Sequence, residues 1–161
     1  MKSAITLGVA LTAGLLGALG AAPQALAGRY TNTSGTICKN YNAGEATLID
    51  YFTNGTRSLK SGETAVICPL SRNTKRTLGA IVYVDIQHSS SATTDCNAYS
   101  YNFNGDLLGS ADGSFTGTGF QEIVIDLSGA GKSAAFSDYS VLCYIPGDSV
   151  GRVLGVDLEE Q

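Results

Sequence analysis

The sequence contains no tryptophan and a single histidine, His88. The missing indole removes the largest surface available for stacking on sugar rings, which counts against a sugar-binding face. A lone imidazole, with no Cys-x-x-Cys pair among four cysteines, leaves no zinc pattern, so neither a metal nor a cofactor is expected. Basic residues are also scarce, ten against fourteen acidic, for a formal net charge of −4. That balance disfavours nucleic acid and other polyanions as partners. The few cations that cluster, Arg72, Lys75 and Arg76, lie among Ser71, Asn73, Thr74 and Thr77 and read as a solvated loop. Long apolar runs are absent after residue 27, and so is any stretch of helical period.

The first 27 residues have the layout of a secretory signal. Lys2 supplies the positive start, residues 4–22 form an apolar run interrupted by Gly8, Gly14, Gly17 and Gly20, and Ala25-Leu26-Ala27 matches a small-residue cleavage site. A spanning anchor would need a longer unbroken run. The reading divides the chain into a signal peptide, 1–27, and one domain, 28–161, secreted to the periplasm or the extracellular space. No cysteine at the cleavage site offers a lipid attachment point, and the acidic end, Asp157 to Gln161, is no anchor tail. After cleavage no membrane insertion is expected.

Cys38, Cys68, Cys96 and Cys143 all fall in the exported part, where an oxidising compartment favours two disulfides. Three pairings are open. Cys38 with Cys68 and Cys96 with Cys143 is preferred, because each bridge then closes a loop between β segments that neighbour in sequence.

The strongest strand signal is residues 79–87, where Val82, Val84 and Ile86 alternate with Tyr83, Asp85 and Gln87. Residues 120–127 give a second, with Ile123, Ile125 and Leu127 in one row. Shorter strands are expected over 36–41, 47–52, 64–68, 96–103, 106–110, 139–145 and 150–158, with Asn54-Gly55 as a hairpin turn and Pro69 as a strand stop. Residues 29–35 read as a polar lead, and 88–95 and 110–119 as loops. Many short strands without helix argue for an all-β fold, a single antiparallel β-sandwich of jelly-roll type with two disulfides.

Catalytic patterns are thin. His88 is followed by Ser89, Ser90 and Ser91, with Asp95 nearby, which sketches a triad but lacks a Gly-x-Ser-x-Gly turn. An exposed histidine capping a polar loop is the simpler reading. Asp85, Glu122 and Asp126 lie on strands and could form a glycosidase pair, although carboxylates alternating with apolar residues belong on an outer face. Asn102, Asn104, Asp106 and Asp112 could offer oxygen ligands to calcium, but they lack the spacing of a calcium loop and suit turns.

The sharper candidate is aromatic. Alternation over residues 96–103 sets Cys96, Ala98, Ser100 and Asn102 against Tyr99, Tyr101 and Phe103, and Cys143 shares a face with Val141 and Ile145. If Cys96 and Cys143 bridge in the core, Tyr99, Tyr101 and Tyr144 point outward as a platform for a glycan or a protein partner. A bulge near Asn97 would instead bury Tyr99, Tyr101 and Phe103 as ordinary core, the commoner arrangement.

Cys38-Lys-Asn-Tyr-Asn42, Cys68-Pro-Leu70, the lone Cys96 and Leu142-Cys-Tyr-Ile-Pro146 resemble small exported bacterial disulfide-bonded β proteins of uncharacterised function. The resemblance implies a bacterial source and leaves Asn32-Thr-Ser34 and Asn54-Gly-Thr56 unglycosylated. It brings no activity and no site residues. The expectation is a non-enzymatic exported β-sandwich acting by surface contact, as an envelope or extracellular structural component that self-assembles or as a binding module for glycan or protein. The alternative is a secreted hydrolase working through carboxylates.

Overall fold

The computed structural model describes residues 30–73, 78–129 and 131–161. The expected signal peptide, 1–27, lies outside these residues, as do Lys75 and Arg76. Among the described residues nine strands follow one another: β1 (Tyr30–Ser34), β2 (Lys39–Asn40), β3 (Ile49–Phe52), β4 (Gly55–Ser58), β5 (Thr64–Leu70), β6 (Ala80–Tyr101), β7 (Leu107–Asp126), β8 (Asp138–Ile145) and β9 (Gly151–Glu160). Short 3-10 turns occupy Gly35–Ile37 and Ala43–Leu48.

The row of Val82, Val84 and Ile86 does not stop where its apolar residues stop. Strand β6 continues for 22 residues, burying His88, Thr94, Cys96, Ala98 and Ser100 on the same side. The expected loop at 88–95 is therefore strand. Its polar residues hid it, because β6 here leaves one layer of the fold for the other. Pairing with β7 steps from His88 opposite Gly119 to Ala92 opposite Gly117, so the three serines form a bulge at that bend.

The expected loop at 110–119 is strand too, matched residue for residue with β6 from Ser110 opposite Tyr99 to Gly117 opposite Ala92. Its glycines have a packing cause. A Cβ on Gly113 would stand 2.7 Å from the Ile123 side chain, because the two halves of β7 face each other across the core.

All pairings are antiparallel. The order runs β2-β5-β8-β6-β9-β4-β3, with β1 also on β9 and β7 along the other edge of β6. The first half of β6 lies between β9 and β7, the second between β8 and β7. One bent sheet thus makes both layers of an antiparallel β-sandwich, and its far ends meet where the Tyr51 hydroxyl on β3 accepts from the Asn40 N–H on β2 at 3.3 Å. Ile123, Ile125, Leu127, Val141, Ile145, Val153, Val156 and Leu158 fill the space between the layers. Each such side chain contributes about 1.5–3 kcal/mol by leaving water.

Several boundaries moved. The strand expected over 36–41 is a 3-10 turn followed by two strand residues, and the polar lead is β1, paired with β9. Strand β5 runs through Pro69, where β2 no longer pairs and no N–H is needed on that side. The Asn54-Gly55 hairpin joins β3 to β4. Disulfides link Cys38 with Cys68 and Cys96 with Cys143, the preferred pairing.

Candidate functional site

Cys96 and Cys143 are directly opposed on β6 and β8, and both are fully buried. With Cys96 inward, strand alternation sends Asn97, Tyr99 and Tyr101 outward, and on β8 it does the same for Ser140, Leu142 and Tyr144. No bulge at Asn97 interrupts this, since pairing with β8 is continuous from Asp95 to Tyr101. The Tyr99 and Tyr101 rings lie near parallel, 27° apart in plane with centroids 6.2 Å apart. Both are half-buried, as is Tyr144, while Phe103 stands exposed in the turn that follows.

A fourth ring joins them. The Tyr41 N–H bonds the Ala65 carbonyl on β5, next to Tyr144 in register, so Tyr41 comes to the same face, 56% exposed. Sequence reading missed it by assigning Tyr41 to a longer first strand. Burial pushes the Tyr99 phenol above its ordinary value, and the neighbouring phenols of Tyr101, Tyr144 and Tyr41 push it the same way. Leu142, on this outer face between Ile67 and Asn97, is only 6% exposed, so the side chains around it close over it. The result is an aromatic floor with an apolar centre, edged by Asn97, Ser110, Asp112, Asp138 and Ser140.

The outer face of the other layer is acidic. Asp85 on β6 lies opposite Glu122 on β7, and Tyr83 lies between Val124 and Asp157. Tyr30, Asn32, Tyr83, Glu122 and Asp157 line an open depression of about 490 Å³. The Asp85 carboxylate leans over Gly155, where a Cβ would come within 3.0 Å of it. Burial raises the Asp85 carboxyl, and burial followed by the charge of Asp85 raises that of Asp157. The Tyr83 hydroxyl donates to Glu159 at 2.7 Å, and this bond, with burial, pushes its phenol up to about 12. Asp126 stands apart from the pair, and hydrogen bonds from the Ser128 side chain and then the Ser128 N–H hold its carboxyl low.

His88 is not an exposed cap. It is 2% exposed, with Nδ1 3.0 Å from the Gly117 carbonyl, Nε2 2.8 Å from the Thr94 hydroxyl, and its ring beside Phe115. A carbonyl can only accept, so Nδ1 carries a proton and donates to it, while Nε2 pairs with the Thr94 hydroxyl. Both nitrogens are committed to structure, and no serine of the Ser89–Ser91 run bonds the ring.

Arg72 also departs from the solvated-loop reading. It bonds the buried Glu160 at 2.7 Å, the Ser137 hydroxyl and the Ala134 carbonyl, and it lies over the Tyr139 ring. The Asn102 side chain accepts from the N–H groups of Asn104 and Asp106 and donates to the Asp106 carboxylate, so turn chemistry accounts for that cluster. Asp112 sits on β7 opposite Asn97. Among the described residues, no three His, Cys, Asp or Glu side chains are grouped to hold a metal ion, and no helix is long and apolar enough to cross a membrane.

No family model and no characterised protein sequence matches the chain. Among solved structures, it is similar to the Podospora anserina GH26-CBM35 beta-(1,4)-mannanase, with a TM-score of 0.46 and 10% identity over 83% of this chain and 28% of that one. It is similar to TmCBM61 in complex with beta-1,4-galactotriose, with a TM-score of 0.42 and 8% identity over 82% of this chain and 88% of the other. A third is the family 11 carbohydrate-binding module from Clostridium thermocellum in complex with a beta-1,3-1,4-mixed-linked tetrasaccharide, with a TM-score of 0.40 and 11% identity over 82% and 89%. The chain spans little more than a quarter of the mannanase. At these scores and identities the likenesses assign neither a family nor a ligand.

Proposed function

We propose that the protein is an exported, non-enzymatic module that binds a glycan through the outer face of β5, β8 and β6, with Tyr99, Tyr101 and Tyr144 as the stacking residues. The observation that carries this reading is the near-parallel Tyr99–Tyr101 pair, held 6.2 Å apart on adjacent outward positions of one strand. Two rings fixed by the sheet lose little freedom when a ligand settles on them. Sugar rings have apolar C–H faces and a hydroxyl rim, and this surface offers aromatic faces edged by carboxylate, amide and hydroxyl groups. Tyr41 and Tyr144 extend the floor beyond one ring pair, which suits a chain of sugars better than a single one. Two disulfides support an oxidising compartment, hence export.

The test is calorimetry or affinity electrophoresis against a panel of neutral polysaccharides. The wild type should be retained by at least one, and Tyr99→Ala with Tyr101→Ala should weaken retention by about tenfold or more. Its melting point should change little. A wild type that no glycan retards, or a double variant that binds unchanged, would end the proposal.

A second reading rests on Asp85 and Asp157. Two neighbouring carboxyls with raised affinity for protons, beside Glu122 at the rim of a depression, have the makings of an acid and base pair for glycoside hydrolysis. Release of reducing ends from any polysaccharide, abolished by Asp157→Asn, would make this reading primary.

A further inference from the structure

Among the described residues, strand β7 is the longest sheet edge. Over Leu107–Asp126 it pairs only with β6, and among the described residues no backbone group takes up its other edge. Natural edges of this kind are shielded by lysine, proline or short length. Here the 20 residues include no Lys, Arg, His or Pro, and only Asp112, Glu122 and Asp126 carry charge. Lys132 lies against Gly109 at one end, and the bend at Gly117 and Gly119 closes the other. Between them, residues 110–116 pair with β6 without a break, over a length about that of an ordinary strand. Ser110, Asp112, Ser114 and Thr116 are exposed on its outer side.

We propose that this edge is a self-association interface, at which β7 of one molecule pairs antiparallel with β7 of a second copy across a two-fold axis through Gly113. Only a β-strand satisfies a row of alternating N–H and C=O groups, and this strand is complementary to itself. About Gly113, Asp112 faces Ser114 of the second copy, Ser110 faces Thr116, and Ala111 faces Phe115. No charge lies directly opposite its like, the two Asp112 being diagonal to each other, small meets large on the inner side, and the axis passes where no side chain stands in the way. A shift that centred the axis on Asp112 would oppose the two carboxylates, so charge selects the register.

The pairing has a consequence for the tyrosine face. Tyr99 lies opposite Ser110 on the outer side of the same layer. In the pair, the two Tyr99 positions share one face of one continuous sheet, three strand spacings (about 14 Å) across and six residues (about 20 Å) along, hence about 25 Å apart. The two platforms then lie side by side on one sheet, staggered along it.

The test is sedimentation or light scattering of the oxidised protein without sugar, so that failure here is separate from failure to bind a glycan. The wild type should reach twice the monomer mass as concentration rises. Ser114→Asp sets a carboxylate against Asp112 of the second copy, twice by symmetry, and should weaken association by about tenfold or more. Ser114→Lys makes the same exposed change with the opposite sign and should keep or tighten the pair, in a salt-sensitive way. Melting curves check that both variants stay folded, since Ser114 also faces Asp95 within its own chain. A wild type that remains monomeric at millimolar concentration would overturn the proposal, as would two variants that shift association alike.

Discussion

Cys96 stands directly opposite Cys143, with Cα atoms 4.1 Å apart, in the register that turns Tyr99 and Tyr101 outward. The separation is that of the closer class of antiparallel pairs, in which side chains meet. Slipping β6 by a single residue would turn the Cys96 sulfur outward, away from Cys143, and both rings into the core. The bridge therefore ties the register of the tyrosine face to a covalent bond.

Replacing Cys96 and Cys143 together by alanine should lower unfolding free energy by about 2–4 kcal/mol, because the bridge closes 47 residues of chain. Urea unfolding would show this as a lower midpoint. The inward apolar positions on both strands still favour the same register, so the Tyr99 and Tyr101 rings should remain outward and glycan retention should survive below the new midpoint. A variant that folds but binds nothing would show that the register depends on the bond itself.

Much of this was legible beforehand for a physical reason. Val82, Val84, Ile86, Ile123, Ile125 and Leu127 announce themselves by alternation, because each lies in a strand with one dry face and one wet face. For Tyr99 the same rule left two readings, outward with Cys96 buried in register or inward through a bulge near Asn97, and the unbroken pairing with β8 decides for the first. What stayed hidden were segments where the two faces do not differ in hydrophobicity. At 88–95 the inward positions are His88 and Thr94, polar groups that satisfy each other, and at 110–119 they are Ala111, Gly113, Phe115 and Gly117. Tyr41 was hidden for another reason: its place beside Tyr144 depends on a single backbone bond to Ala65 across β5. The acidic depression assembles Asn32, Tyr83, Glu122 and Asp157 from four strands, which no local pattern reveals.

His88 provides a stability test that also bears on catalysis. His88→Ala would leave the Thr94 hydroxyl and the Gly117 carbonyl without their partner and open space beside Phe115. The expected loss is about 2–4 kcal/mol, read as a fall in melting temperature. Glycan binding below that temperature should be unchanged, since the ring is buried at the bend between layers. Loss of a measured hydrolase activity with stability intact would instead return His88 to a catalytic role.

Asp85 gives the pH dependence. Its carboxyl holds a proton more tightly in the folded protein than the usual value of 3.8, because the fold partly buries it. The folded state therefore binds more protons than the unfolded state as pH rises through that value, and stability falls with rising pH over that window. Below 3.8 both states are protonated and nothing is lost; above the raised folded value the whole cost is present. Asp85→Asn removes that cost and takes a negative charge away from Asp157. At pH 7 the variant should melt above the wild type, by about 1–3 °C for a small, half-exposed group. Near pH 3 the two should melt together. A variant that melts lower than the wild type at pH 7 would mean that the ionised Asp85 is held by something favourable, and the depression would then have to be reconsidered as a site whose carboxylates are stabilised in their charged form.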